Sequence, residues 1–478
     1  MGSMPYRWRA ALGVLGTGLV LGACGTPRVD PPPDPHASAA AFAARKLNDA
    51  GLAQFMGRLG VSTPASNDLT PELVIAAALY FHADAKRAAA DIAAAHADVE
   101  VASEMPNPVL SLSPARVIHA TASEVPWVVA AVLSLPVETN GKRSRRTAAA
   151  QSAEQQAVLS AGTTLWQVRS RALKALQDLC DVEDEVRADA EEAALDQALT
   201  ERFVKQQQAG LTSMIDTLRA QGDRAQAESK LADARARLTG ARGDLADAMG
   251  VPLTEIADRH AAPWPERAHA PTLDPARLDE LQADAIVNRT DLRAQLAAYA
   301  QASATWQLEV AKRIPDVTVG PGYTYDRGDK EITLDVSFEL PVFHGNGAAI
   351  ARAKADRDRA AAAFEGTQGD VIASVQKSRA ALEGAVLAFQ QSDAAMRAAE
   401  ATQSRVEKEM HRNLVSKPEL MQASLVRVQA TQAHLAAAHQ LHAAMAAMED
   451  AVEAPIWTPS LNLAAALPPS MSERGDQR

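Results

Sequence analysis

Histidine, cysteine and carboxylate are the side chains of this sequence that could bind a metal, carry a covalent group or select an ion, and their spacing decides among those chemistries. His434, His439 and His442 fall in one helix-forming stretch near the C-terminus, and His82 with His96 in an early one. The separations of 5, 3 and 14 residues provide no i, i+4 pair to chelate a metal from one helix face. These histidines therefore read as exposed or interhelical, and no metal ligand set is assigned. Asp216 lies six residues after Gly210 and Glu419 six after Asn413. Each acid opens a helix, where a carboxylate complements the positive end of the dipole. Two cysteines, Cys24 and Cys180, are too few for a disulfide framework. The chain carries no paired-cysteine zinc motif, metalloprotease helix, phosphate-binding glycine loop or nucleophile elbow. No catalytic residue is assigned, and an enzyme becomes the remote reading.

Cys24 has the more specific context. Arg7 and Arg9 precede an apolar run from Ala10 to Leu21, which leads into Leu21-Gly22-Ala23-Cys24-Gly25. That is a secretory leader, with an apolar segment too short to span a bilayer as a mature helix. Its ending resembles the bacterial lipobox, in which the cysteine thiol is joined to diacylglycerol and becomes the new N-terminus. Residues 1–23 are thus the expected signal peptide and Cys24 the expected lipid anchor; no other cofactor is implied. Gly25 stands where an aspartate would retain a lipoprotein in the inner membrane, so outer-membrane sorting is the default. The Pro-rich segment from Pro27 to Pro35 reads as an extended tether.

The elements that must hold these residues are long helices and short strands. No proline occurs between Pro136 and Pro252, nor between Pro341 and Pro418, although the chain has 26. Leu165, Val168, Ala172, Ala175, Leu179, Val182 and Val186 alternate spacings of 3 and 4, an a/d seam of a left-handed coiled coil. Cys180, next to Leu179, reads as a packing residue of that seam. A helix from Lys142 to Gln208 would be roughly 100 Å long at 1.5 Å per residue. With 47% apolar but only 4% aromatic residues, alanine carries much of the apolar content and favours closely spaced helices. With 59 acidic against 48 basic residues the chain is net acidic, a poor partner for nucleic acid.

Ile332, Leu334, Val336, Phe338 and Leu340 alternate with Thr333, Asp335, Ser337 and Glu339, the apolar-out, polar-in pattern of a membrane β-barrel strand. Val317, Val319, Tyr323 and Tyr325 supply a partner strand across the turn at Asp326 to Lys330. A buried amphipathic hairpin in a soluble protein alternates in the same way, and the hairpin alone does not separate the two. Its position does. The run from Pro106 to Leu112, then Val125 to Pro136 and a polar turn through Lys142, matches Ile314 to Val319, then Ile332 to Pro341 and a turn through Gly347. Pro136 and Pro341 are 205 residues apart; Gly210-Leu211-Thr212-Ser213 and Asn413-Leu414-Val415-Ser416 are 203 apart. Each half reads helix, hairpin, long helix, tight turn, returning helix. Four strands are too few to close a barrel, so several chains must assemble one.

On these residues the chain resembles the TolC family of outer-membrane efflux channels over nearly its whole mature length. Leu69 to Asn107, with Ala76 to His82 and Met105-Pro106-Asn107-Pro108, is similar to the helix feeding the first strand in the heavy-metal branch, the CzcC and CusC type. Arg202-Phe203 with Gln208 to Ser213 and Asp216 resembles the family's first periplasmic tip. Asp291-Leu292-Arg293-Ala294, opening a helix that reaches Arg313-Ile314-Pro315, is also shared. The second tip departs, with Asn413 where glycine is usual and Lys417-Pro418 inside the turn.

The resemblance implies an α+β membrane protein: a homotrimer closing a twelve-stranded transmembrane β-barrel, four strands per chain, joined to a long antiparallel coiled-coil helical barrel with two internal repeats. The expected divisions are a lipid-anchored tether at 24–36, N-terminal helices at 37–105 and a first β-hairpin at 106–136. A helical hairpin at 137–250 with its tip near 210–213 and an equatorial segment at 251–313 follow. A second β-hairpin at 314–341, a helical hairpin at 342–453 with its tip near 413–418 and a tail at 454–478 complete the chain. Implied roles are lumen-facing Thr333, Asp335, Ser337 and Glu339, and entrance carboxylates Asp216 and Glu419, which a three-fold axis would turn into cation-favouring rings. The two tips, Gly210 to Ser213 and Asn413 to Ser416, are implied to dock a periplasmic adaptor, or membrane fusion, protein. The implied function is passive export of small toxic solutes, heavy-metal cations first, from an inner-membrane RND-type transporter through the outer-membrane lipid. The rival is a periplasmic coiled-coil lipoprotein scaffold or adaptor with no pore.

Overall fold

The computed structural model describes residues 31–62, 68–116, 118, 127–262, 264, 269–272 and 274–467. The leader and Cys24 lie outside the described residues, as do 119–126 between the first two strands and the last eleven residues of the tail. The chain divides into two units, Met1–Arg45 and Lys46–Arg478. In the first, α1 (Pro35–Ala43) starts where the Pro-rich stretch ends, with Asp34 accepting the backbone N–H of His36 at 3.0 Å.

The second unit holds the other elements. They are α2 (Ala50–Arg58), α3 (Pro71–Phe81), α4 (Ala83–Ser103), β1 (Val109–Arg116), β2 (Trp127–Val137), α5 (Lys142–Gln208) and α6 (Met214–Met249). Then come α7 (Pro275–Asn288), α8 (Thr290–Ala311), β3 (Val317–Asp326), β4 (Asp329–Phe338), α9 (Gly347–His411) and α10 (Lys417–Val452). From α4 and from α8 onward the chain runs in the same order, helix, two strands, long helix, returning helix. Helices α5 and α9 have 67 and 65 residues, α6 and α10 both have 36, and α4 and α8 have 21 and 22. No described helix is long and apolar enough to cross a membrane.

The long helices run unbroken because they contain no interior proline and are dominated by alanine and other strong helix formers. Along α6, Ala220, Ala227, Ala234, Ala241 and Ala248 recur every seventh residue and are all buried. That seam of methyl groups lets α5 and α6 pack closely along the hairpin. Larger apolar side chains collect where the short helices meet the middle of α5 and α9 and the C-terminal ends of α6 and α10. One core joins α2 and α3 to Leu165–Cys180 of α5 and Leu245–Met249 of α6; the other joins α7 and the start of α8 to Val371–Phe389 of α9 and Ala438–Val452 of α10. Helix α10 also packs on α5, connecting the halves. Glu449 fastens the chain beyond α10, its Oε1 accepting backbone N–H groups of Ile456, Trp457 and Thr458 at 2.7, 2.6 and 3.0 Å.

The corners between strand and long helix are fixed by residues in left-handed conformation. Asn140 and Gly141 before α5 have φ of 54° and 66°, and Asn346 before α9 has 60°. Each asparagine amide donates to a carbonyl at the end of α8, Asn140 to Ala311 at 3.1 Å and Asn346 to Glu309 at 2.8 Å. Both corners thereby satisfy carbonyls that a helix end leaves without intrahelical partners. Lys142 Nζ, buried, donates to Asp316 at 2.8 Å, and the Thr139 N–H donates to the same oxygen at 2.8 Å. These bonds tie the exit of the first hairpin to the entrance of the second.

Candidate functional site

The four strands form one antiparallel sheet in the order β1-β2-β3-β4. Because antiparallel partners point to the same side, the register sorts every residue onto one of two faces. Leu110 and Leu112, then Trp127, Val129, Ala131, Leu133 and Leu135, then Val317, Val319, Tyr323 and Tyr325 share a face with Ile332, Leu334, Val336 and Phe338. The opposite face carries Ser111 and Ser113, Ala130 and Val132, Thr318, Gly320, Gly322 and Thr324, with Glu331, Thr333, Asp335 and Ser337. The apolar face is open: Ile332 is 89% exposed and Leu334 69%. A contiguous apolar surface of this kind needs an apolar medium or a partner.

Thr333, Asp335 and Ser337 stand together on the polar face, opposite Gly322, Gly320 and Thr318. Glu339 lies one residue past the end of β4, outside the ladder that assigns the faces. Phe338 already pairs with Val317, the first residue of β3, and the preceding Asp316 is held by Lys142 and Thr139. Space on this face is tight at its centre. A Cβ at Gly322 would sit 2.5 Å from Thr333 Oγ1, and one at Gly320 3.2 Å from Val132. Small residues on the polar face and large ones opposite fit a sheet curved toward its polar side. Strands β1 and β4 are the outer strands, each with one ladder, and every residue of both is exposed.

At the far end of the helices the two tips share one geometry. Gly210 has φ of 73° and Asn413 60°. The N–H of Gly210 donates to Gln207 O at 2.9 Å and that of Leu211 to Gln206 O at 2.8 Å; Asn413 and Leu414 donate to Met410 O at 2.9 Å and Glu409 O at 3.0 Å. Both are Schellman caps, which require the left-handed residue that glycine and asparagine tolerate. The returning helices are capped at once. Ser213 Oγ accepts the Asp216 N–H at 3.1 Å and donates to Asp216 Oδ2 at 2.6 Å. Ser416 and Glu419 form a reciprocal capping box, with the Ser416 N–H donating to Glu419 Oε2 at 2.5 Å. The Ser213 hydroxyl holds the Asp216 carboxyl below the usual carboxylate range, and the Ser416 backbone N–H does the same for Glu419. Both acids stay ionised, exposed and oriented as helix caps. Leu211, Met214, Ile215 and Leu414 leave apolar side chains exposed around them.

The a/d seam of α5 does not stop at Val186. It continues as Asp189, Ala193, Asp196 and Thr200, all buried. Asp189 Oδ1 accepts from Gln432 Nε2 at 2.9 Å and lies 3.4 Å from Lys230 Nζ, and Thr200 Oγ1 donates to Ala220 O at 2.9 Å. Burial pushes both aspartates above the usual carboxylate range, against the pull of Lys230 at Asp189 and with added repulsion from Glu192 and Asp223 at Asp196. Extending the 3,4 spacing past its last apolar member would have found these acids. The histidines are interhelical. His96 Nδ1 lies 2.7 Å from Glu154, His434 packs on the Phe389 ring at 4.7 Å, and His442 Nδ1 lies 3.1 Å from Asp181. Cys180 is buried in the first core.

No family model and no curated protein matches the chain. Its fold is similar to those of several solved structures. The outer membrane protein VceC from Vibrio cholerae has 16% identity and a TM-score of 0.64, covering 80% of this chain and 96% of that one. CusC, described by conformational changes accompanying folding and transmembrane channel formation, has 14% identity and a TM-score of 0.65 over 81% and 93%. The CmeC outer membrane channel of Campylobacter jejuni has 14% identity and a TM-score of 0.64 over 85% and 88%. The chain has the fold of these outer-membrane proteins.

Proposed function

We propose that this chain is the outer-membrane channel subunit of a tripartite efflux system, three copies of which close a twelve-stranded β-barrel continuous with a tunnel of long helices. The observation that carries the reading is the four-stranded amphipathic sheet, with its apolar face open and both outer strands available, on a chain that has the fold of outer-membrane channels. In a trimer each β4 would pair with the β1 of the next copy, leaving no free edge. The apolar face would meet lipid, and Thr333, Asp335 and Ser337 would line water.

The channel in this reading is passive and has no catalytic residue. An RND-type transporter in the inner membrane supplies the energy, and a periplasmic adaptor meets the tips at Gly210 to Ser213 and Asn413 to Ser416. Asp216 and Glu419, repeated by the three-fold axis, would present ionised carboxylates near that end and favour cations. Cys24 would carry diacylglycerol. Heavy-metal cations are the favoured cargo because the segments Ala76 to His82 and Met105 to Pro108 resemble that branch.

The Ala-rich coiled coils also suit a lipoprotein scaffold without a pore. A scaffold leaves the exposed apolar sheet face unexplained. Reconstitution of the full-length protein into planar bilayers separates the two: a channel produces discrete conductance steps, and a scaffold produces none.

A further inference from the structure

We propose that Asp178, Asp181 and His439 form a binding site for one divalent transition-metal ion of the zinc class, bridging α5 of the first half to α10 of the second. This goes beyond the channel reading and does not rest on it. Asp178 and Asp181 are spaced i, i+3 on α5, and His439 and His442 are spaced i, i+3 on α10, so each pair shares one face of its helix. The two faces meet: His439 Nε2 lies 3.6 Å from Asp178 Oδ1 and 3.9 Å from Asp181 Oδ2. One ligand atom from each of Asp178, Asp181 and His439 lies within 4.8 Å of the others.

Those separations are long for direct hydrogen bonds, which run at about 2.7 to 3.2 Å for N–H···O. They approach the donor-to-donor spacing around a four-coordinate zinc, about 3.4 Å for ligands some 2.1 Å from the metal. The surrounding groups prepare the ligands. Lys174 Nζ pairs at 3.0 Å with Asp178 Oδ2 and leaves Oδ1 turned to His439. His442, 4% exposed, holds Nδ1 3.1 Å from Asp181 Oδ1, the outer-shell contact that orients a metal-binding carboxylate. An ion has a way in, because His439 is exposed and borders a cavity of about 420 Å³ also lined by Asp181, Glu185 and Asp189. Lys230 and Arg237 line the same cavity; Lys230 is engaged with Glu192 and Asp189, and Arg237 with Glu185. Imidazole with two carboxylates suits zinc, whereas calcium takes six to eight oxygen ligands. Water would complete the coordination.

Tag-free full-length protein in detergent, stripped with EDTA, is titrated with zinc chloride by calorimetry and then melted with and without zinc. The expected result is one saturable zinc site per chain and a melting midpoint that rises with zinc. His439→Gln and Asp178→Asn each weaken binding at least tenfold and abolish that rise, while His434→Ala, altered at a histidine of the same helix outside the cluster, binds as the parent does. Melts in EDTA establish that each variant is folded. Calcium chloride under the same conditions gives no saturable binding. Absence of a saturable zinc site in the parent protein, unchanged affinity in His439→Gln, or calcium bound as tightly as zinc would each overturn the proposal.

Discussion

Val336 and Ser337 are adjacent on β4 and face opposite ways, Val336 beside Val319 and Ser337 beside Thr318. If the apolar face meets lipid, Val336→Arg puts a charge into hydrocarbon and disfavours insertion by roughly 2 to 4 kcal/mol. Ser337→Arg instead leaves assembly intact and changes conductance. Equal assembly and identical conductance in the two variants would mean that the strand lines no pore. A second residue-scale consequence concerns Asp196. Burial, with Glu192 and Asp223 nearby, raises its carboxyl above the usual range, so the folded state holds this proton more tightly than the unfolded chain. Stability from this group therefore falls as pH rises from the ordinary carboxylate range through the raised folded value, and is lowest above it. Asp196→Asn should raise stability at neutral pH, where the ionised buried carboxylate costs most. That advantage should shrink as pH falls through the same window, which melting curves across pH measure; a pH-independent difference would remove the burial argument.

Among the elements, the helices were the most legible from sequence. Both ends of α5 could be placed because proline is absent across its span, an a/d seam runs inside it, and turn chemistry brackets it at Asn140-Gly141 and Gly210. The ends of β4 were less legible, because alternation continues through Leu340 while pairing stops where Asp316 is taken up by Lys142. Least legible were contacts set by which helices become neighbours. Asp181 and His442 are 261 residues apart and meet only because α10 packs on α5, which no local spacing encodes. The tips lie between these extremes, since their turn residues and the serine three residues before Asp216 and Glu419 stand in the sequence, while what the exposed turns meet does not. At Gly210 the positive φ is intrinsic to the Schellman cap, while a Cβ there would find no atom within 4 Å. Gly210→Trp should thus strain the turn by about 1 to 2 kcal/mol, with open space around the new Cβ. If the tips dock an adaptor as proposed, the variant assembles and inserts yet loses cross-linking to that adaptor and loses export. Normal cross-linking with normal export would move the docking surface away from the tips.

At the scale of the whole molecule, the sheet needs a medium for its apolar face and the longest helix measures roughly 100 Å at 1.5 Å per residue; in the proposed reading that length crosses an aqueous space and Cys24 carries a lipid. In that reading the anchor would be separable from the barrel, because the apolar sheet face would carry its own membrane affinity. Cys24→Ser should leave an uncut, unlipidated precursor that can still insert; mass spectrometry of the mature N-terminus reads this directly, and an unmodified parent peptide starting elsewhere than Cys24 would remove the anchor. The central claim is that the polar face of the sheet lines a water-filled pore closed by several copies of the chain. Asp335 sits on that face opposite Gly320, and a pore repeats its charge once per copy. The most direct test is the reversal potential across a planar bilayer under a salt gradient, measured for the parent and for Asp335→Lys. The account predicts discrete steps from both, with the variant's reversal potential displaced toward anion preference. Absence of steps from the parent, or the same reversal potential in both proteins, would contradict it.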